Sequence, residues 1–276
     1  MKQPHLHPLK KNGITLMTKQ RLTLYAVIAS LLLITVWGFY LMSEECLAWR
    51  EAGKRLMHYA SLLFLAPKRS DHLPIGELIY SLGISIALSI VTTAIGAVIA
   101  FFLAIGAARN LAPAPLSHLI RGITAIIRSV PTIIWVLVFS VSVNVGTEAA
   151  VLGMCFHSVA YLVKGFSESF EHIHRDTIDA LKACGADFSG IITHAVIPVS
   201  AASLISWTFF RFEINFVNAV AIGAAAGAGG IGYHLFMAGS LYFDIREVGL
   251  LTYLIFGTAF LFESISMQLR RRGKHR

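Results

Sequence analysis

Residues 176–198 read DTIDALKACGADFSGIITHAVIP, a polar, helix-forming insert between two apolar runs. Asp176 is placed to cap a short helix, Asp179 sits three residues on where a carboxylate favours the positive helix end, and Gly185 is the residue type that ends such a helix. Ile173, Thr177, Ala180, Leu181 and Cys184 fall at helical spacing and predict one weakly apolar stripe, with Asp176, Asp179 and Lys182 mostly off it. A face of small residues fits a groove, in this protein or in another.

Outward from this insert the chain is apolar. Of its 276 residues, 56% are hydrophobic and 14% charged, where a soluble domain carries about a quarter charged. The charge-free runs are 22–43, 78–108, 129–147, 149–163, 188–210, 214–243 and 248–262. A helix needs about 20 mainly apolar residues to cross a bilayer. The fold class is therefore an all-α, integral membrane helical bundle of about six transmembrane helices, with one run left for an irregular segment.

The expected spans are 22–42, 76–107, 131–145 starting at Pro131, 147–165, a fifth starting at Pro198, and 247–269. The first is too long, and lacks the small-residue cleavage site, for a signal peptide, so it reads as a retained anchor. Residues 1–21 are polar and basic, and a mixed segment over 43–73 predicts an amphipathic helix at the outer surface. The chain thus divides into 1–75, a tail with anchor and surface segment, and 76–276, the core. Ser, Thr, Gly and Ala in the second span let helices approach closely or line a polar path, with close packing the favoured reading. Arg109 to Arg121, with Pro113 and Pro115, reads as a turn.

Basic residues bias short flanks to the cytoplasm. They crowd both tails (Lys2, Lys10, Lys11, Lys19, Arg21; Arg270, Arg271, Arg272, Lys274, Arg276) and two loops (Arg109, Arg121, Arg128; Lys164, Arg175, Lys182). Both termini are expected in the cytoplasm. The net charge of +8 is a topology signal and a match for anionic lipid. It is not gathered on one folded surface as nucleic-acid binding needs.

Cys46, Cys155 and Cys184 fall in three different compartments of this topology and cannot pair. His5 and His7 stand two apart in a polar tail, where such a pair is incidental, and His172 and His174, two apart on the helical approach to the insert, point to different faces, so no metal site is expected. Gly227, Gly229 and Gly232 satisfy G-x-G-x-x-G, but no strand precedes them; in a membrane helix they read as a break or a tight crossing. Arg211 and Glu213 lie at membrane depth near Asn215 and Asn218. Charges there cost about 3 kcal/mol or more unless paired or wetted, which places this stretch in the bundle interior. Two readings stay open: an ion pair of Arg211 with Glu213 of another helix or with Glu263, or an Arg211 exposed to an anion path.

Asp179-Ala180-Leu181, three residues, Gly185, nine residues, Ala195, one residue, then Ile197-Pro198 resembles the EAA-type signature of bacterial ABC-importer permeases, the cytoplasmic loop that docks on the ATPase. The spacing matches throughout, while Asp stands for the usual Glu, Leu for the second Ala and Ala195 for the usual Ile. Phe210-Arg211-Phe212-Glu213 through Gly227-Ala228-Gly229-Gly230-Ile231-Gly232 is similar to the phosphonate-transport branch.

The resemblance implies a type I importer permease of the bacterial inner membrane, with a docking loop over about 164–198 and docking residues Asp179, Ala180, Leu181, Gly185, Ile197 and Pro198. It implies a homodimer, two ATPase subunits that hold ATP and Mg, and an extracytoplasmic binding protein, with no cofactor in this chain. The implied cargo is a small phosphorus oxyanion, phosphonate or phosphite. No G-x-x-x-x-G-K-[ST] loop and no nucleophile–base spacing occurs, so the chain is not expected to be an enzyme. The alternative from another class is a stand-alone channel or secondary transporter with Arg211 and Glu213 as ion site.

Overall fold

The structure is a computed structural model that describes residues 12–42, 49–225 and 227–274. The basic N-tail as far as Lys11 and Cys46 lie outside the described residues, as do the side chains of Arg270–Arg276. Contacts divide the chain into two compact units, Met1–His58 and Tyr59–Arg276. The first holds α1 (Asn12–Met42), whose apolar segment Arg21–Leu41 is long enough to cross a membrane. The helix starts ten residues before the expected anchor. The division falls inside α2 (Trp49–Leu65), the amphipathic helix expected before the core.

The second unit is built on α3 (Ile75–Ala107), α5 (Thr132–Val143), α6 (Thr147–Glu171) and α9 (Ile197–Ala225). In lipid no hydrophobic drive brings helices together, so contact area comes from small residues. α3 buries Ser81, Ser85, Ser89, Thr92, Thr93, Gly96, Ala100, Ala104 and Ala107. Its partners answer in kind: a Cβ on Gly96 would lie 2.9 Å from that of Ser158, one on Gly153 would lie 2.6 Å from the Val136 backbone, and one on Gly165 would lie 2.5 Å from the Trp207 ring. Close packing is thus one use of the small residues of the second span.

Among the described residues, five helices are long and apolar enough to cross a membrane, and a sixth crossing results if α4 (Ala114–Ser129) and α5 count as one. The two are bent by 93°. Val130 is extended and Pro131 follows, a residue that cannot donate into the preceding turn and pushes its predecessor out of the helical region. The third crossing is therefore not the single span 131–145 expected from sequence. α5 alone has 12 residues, about 18 Å, and the stretch read as a turn up to Arg121 is in large part helix.

The fifth span also starts elsewhere. The helix runs unbroken over Phe188–Ala225, opening at α8 (Phe188–Ile191), where the Asp187 carboxylate accepts from the Gly190 N–H at 2.8 Å. Pro198 is inside it, not at its head. A π-turn, Ile192–Val196, just before the proline widens the ring that its missing N–H would have closed. α9 then stops at Ala225, and Gly229 and Gly230, both at φ +74°, carry the chain into α10 (Gly230–Ser240). α10 folds back on α9 so closely that a Cβ on Gly223 would meet the Gly229 carbonyl, and one on Gly232 the Val220 carbonyl. The glycine run is the break and tight crossing expected.

α11 (Ile245–Lys274) ends the chain. At its head Asp244 accepts from the Arg246 and Glu247 N–H groups at 3.0 and 3.1 Å and from Ser70 Oγ at 2.6 Å, tying this end of the bundle to the segment before α3. The Ser70 hydrogen bond, and then those two backbone donors against the opposing effect of burial, hold the Asp244 carboxyl below the usual carboxylate range.

Candidate functional site: an exposed short helix and a polar cluster at membrane depth

The insert folds as α7 (Arg175–Ala183), preceded by His174 in extended backbone. No side chain caps it: Asp176 sits two residues past the cap position, His174, and instead lies in the first turn, where its charge favours the positive helix end. His172 closes α6 and His174 opens α7, so the two histidines occupy a turn, not a helical approach. The C-terminal end follows the sequence expectation. Gly185 stands at φ +84°, its N–H donates to the Lys182 carbonyl at 2.9 Å, and the Ala186 N–H donates to that of Leu181 at 3.0 Å. This is the paired bonding that a left-handed glycine permits.

The buried face of α7 differs from the predicted stripe. Ile178 and Ile173 are both 4% exposed and join Phe170, Ile191 and Val196 in one apolar cluster, with Leu181 packed against it. Thr177, Ala180 and Cys184 are exposed instead. Of the candidate docking residues, Asp179, Ala180, Gly185, Ile197 and Pro198 face outward, and Leu181 is half-buried. Asp179 and Lys182 pair at 3.8 Å, but both are well exposed, so the pair adds little.

What fixes the root of α7 was not legible in the sequence. Glu171, the last residue of α6, accepts from Arg121 Nη2 at 2.5 Å and from the Arg109 N–H at 2.7 Å. Asn110 Nδ2 donates to the Phe170 carbonyl at 2.8 Å, and Arg121 Nε and Ser117 Oγ donate to the Ala107 carbonyl at 2.8 and 2.6 Å. The corner between α3 and α4 is thereby locked to the end of α6, and α7 leaves from a braced base.

Toward the middle of the bundle, Arg211 is 1% and Asn215 0% exposed. Arg211 Nε donates to Ser158 Oγ at 3.0 Å and Nη2 to His157 Nδ1 at 3.0 Å, and the guanidinium lies 5.1 Å from the centre of the Tyr161 ring. Asn215 Nδ2 reaches Thr93, Ser158 and Thr92 hydroxyls at 2.8, 2.9 and 3.2 Å. Asn218 Nδ2 reaches Thr132 Oγ1 at 3.5 Å, which is itself 3.2 Å from His157 Nδ1.

Of the two readings, the ion pair is not formed within this copy of the chain. Among the described residues no carboxylate pairs with Arg211: Glu263 is exposed on α11, and Glu213, half-buried, points from a different face of α9. A guanidinium stays charged, so its charge is set among neutral acceptors and a ring face. His157, Ser158 and Tyr161, all on α6, were not singled out from sequence. Among the described residues no group of three or more His, Cys, Asp or Glu could hold a metal ion.

A bundle of apolar helices with a braced, exposed short helix at one end and a broken helix at the other defines a multi-pass membrane component, and its fold is that of a type I importer permease. Residues 96–269 match the family described as "Binding-protein-dependent transport system inner membrane component", and the chain belongs to that family. It is 34% identical over 191 residues to the phosphite transport system permease protein PtxC of Stutzerimonas stutzeri, covering 69% of each chain. It is 29% identical over 190 residues to the phosphate-import permease protein PhnE of Mycolicibacterium smegmatis, covering 68% of this chain and 35% of that one. Among solved structures, an inward-facing MetNI methionine ABC transporter superposes with a TM-score of 0.67 at 19% identity, over 74% of this chain and 99% of that chain. An amino acid ABC transporter gives 0.60 at 14% identity, over 79% and 97%. At such identities the superpositions speak for the fold alone.

Proposed function

We propose that the chain is the translocating subunit of an ATP-driven importer and that it moves a small phosphorus oxyanion, phosphite or a phosphonate, across the inner membrane. Two copies form the pathway, two separate ATPase subunits that hold ATP and Mg dock on α7 of each copy, and a binding protein delivers the anion outside. The core segment 76–276 does this work, with 1–75 as an added anchor and surface segment. The termini and α7 face the cytoplasm.

The observation that carries the reading is α7 itself. Its outward face offers Asp179, Ala180 and Gly185, while Ile178 and the Glu171–Arg121 brace tie it stiffly to α6 and α4. A short helix held this way passes a rigid-body displacement to the helices it joins. Alternating access needs such a lever, and a channel does not. The stand-alone reading is also weakened because Arg211 and Glu213 do not form a joint site.

The cargo follows from two supports. Relatives carry phosphite and phosphate import in their names. Arg211, with no carboxylate partner among the described residues, contributes positive potential to the interior, which supports an anion over a cation as cargo. Growth on phosphite or methylphosphonate as sole phosphorus source tests it, in a strain lacking other routes and supplied with this chain and its partner subunits. Growth that requires the chain and both partners is expected. Equal growth without the ATPase would point to the secondary transporter.

A further inference from the structure

A second cation stands beside the cluster just described and makes its hydrogen bond outside it. Arg128, near the end of α4, is half-buried; its Nη1 donates to the Ala160 carbonyl of α6 at 3.0 Å, and among the described residues no carboxylate pairs with it. It opens on a cavity of about 220 Å³ between α4 and α6, lined by Arg121, Thr124, Arg128, Lys164, Ser167 and Glu168. That volume is several times the roughly 30 Å³ share of one water. Room for a tetrahedral oxyanion with part of its hydration is available.

The charges there are unequally committed. Arg121 is bound to Glu171 at 2.5 Å, whereas Lys164 and Glu168 are 3.9 Å apart and about half-exposed, a pair of little worth. Arg128 and Lys164 are thus available to an anion, and Glu168 is the group that competes with it. The cavity also has a direction. Ser158, which touches Arg211, and Lys164 are six residues apart on α6, about 9 Å along the axis toward the end where α7 leaves. A path must bind its ion well enough to admit it and weakly enough, over several sites, to release it. One deep cation alone would retain an anion.

We propose that the cavity around Arg128 and Lys164 is a binding site for a phosphorus oxyanion, the exit station that takes the transported anion on its way from the Arg211 level to the cytoplasm. A phospholipid headgroup offers the same chemistry. The assignment to transported anion rests on the function proposed above; the cavity's affinity for a phosphoryl-type group does not.

The test uses the full chain in nanodiscs of neutral lipid, titrated with phosphite and followed by phosphorus NMR, alongside nanodiscs containing phosphatidylglycerol. Phosphite binding that weakens about tenfold or more in Arg128→Gln and in Lys164→Gln, the scale of one charge-assisted hydrogen bond, is expected. Glu168→Gln should tighten it, and Arg128→Lys should restore part of it. Binding only of phosphatidylglycerol, with the same order among variants, keeps the site and gives it to lipid. In whole importers the exit role is expected to lower the maximal uptake rate of Lys164→Gln while leaving the KM for external anion unchanged. Wild-type binding that none of these four variants alters overturns the site while leaving the importer's cargo intact. Binding at the cavity without any cellular uptake of phosphorus oxyanion refutes the cargo and leaves the site. No binding of either probe removes the site.

Discussion

Replacing Arg211 by methionine separates a stabilising role from a transport role, because the two sides of the energy balance nearly cancel. The variant loses two hydrogen bonds from a charged donor, to Ser158 and His157, at about 1.5–3 kcal/mol each, and a ring contact of up to about 2 kcal/mol with Tyr161. Against this, a buried ion no longer has to be held away from water, a gain of several kcal/mol. No orphan is left behind. Ser158 Oγ keeps Asn215 Nδ2 at 2.9 Å and His157 Nδ1 keeps the Thr132 hydroxyl at 3.2 Å. The net change is expected within about 2 kcal/mol of zero. Thermal unfolding of the purified protein should therefore change little, while uptake per folded molecule falls about tenfold or more. A stability loss beyond about 3 kcal/mol, restored by Glu213→Gln or Glu263→Gln, would show a carboxylate partner after all and refute the reasoning. Unchanged uptake would remove Arg211 from the pathway.

Further expectations concern the framework. Gly232→Ala forces a Cβ onto the Val220 carbonyl and should cost at least about 1–3 kcal/mol, whereas Gly83→Ala, with open space around it, should be neutral or stabilising by up to about 1 kcal/mol; equal melting temperatures would contradict the tight crossing. Gly185→Asp should cost about 1–2 kcal/mol locally, since φ is +84°, and abolish uptake with the membrane-inserted chain intact. Asp179→Lys reverses a charge in α7 and is expected to uncouple ATP hydrolysis from uptake while costing at most about 1 kcal/mol. Because its folded carboxyl is depressed, Asp244 contributes stability above the ordinary carboxylate range, below about pH 4 progressively lost as its folded value is passed; in Asp244→Asn that part of the acid sensitivity should vanish.

Hydropathy made the long spans legible, since an apolar run leaves a membrane helix few alternatives, and the Gly185 stop and the glycine break were legible because glycine adopts positive φ at far lower cost than other residues. The bent crossing was not. α4 carries Arg121 and Arg128 on one side and exposed Leu116, Leu119, Ile123 and Ile126 on the other, so it fails a search for charge-free runs although it is a full helix. Pro198 misled for a related reason: proline commonly opens a helix, and a π-turn that lets it sit inside one leaves no mark in the sequence. In the polar cluster, sequence exposed Arg211, Asn215 and Asn218 because polar groups stand out in an apolar span. It hid their partners, since His157 and Ser158 lie more than fifty residues away and neutral acceptors carry no sign of whom they serve.

The coupling role of α7 has a built-in reporter in Cys184, exposed where the helix ends. A thiol-anchored photocrosslinker placed there, in membranes that contain the whole importer with Cys46 and Cys155 changed to serine, should join the chain to its nucleotide-binding subunit, as identified by mass spectrometry. The adduct should disappear in Gly185→Asp and should not form when an impermeant reagent is applied to intact cells. Adducts to other proteins alone, or labelling of Cys184 from outside, would contradict a cytoplasmic docking helix and with it the proposed mode of action.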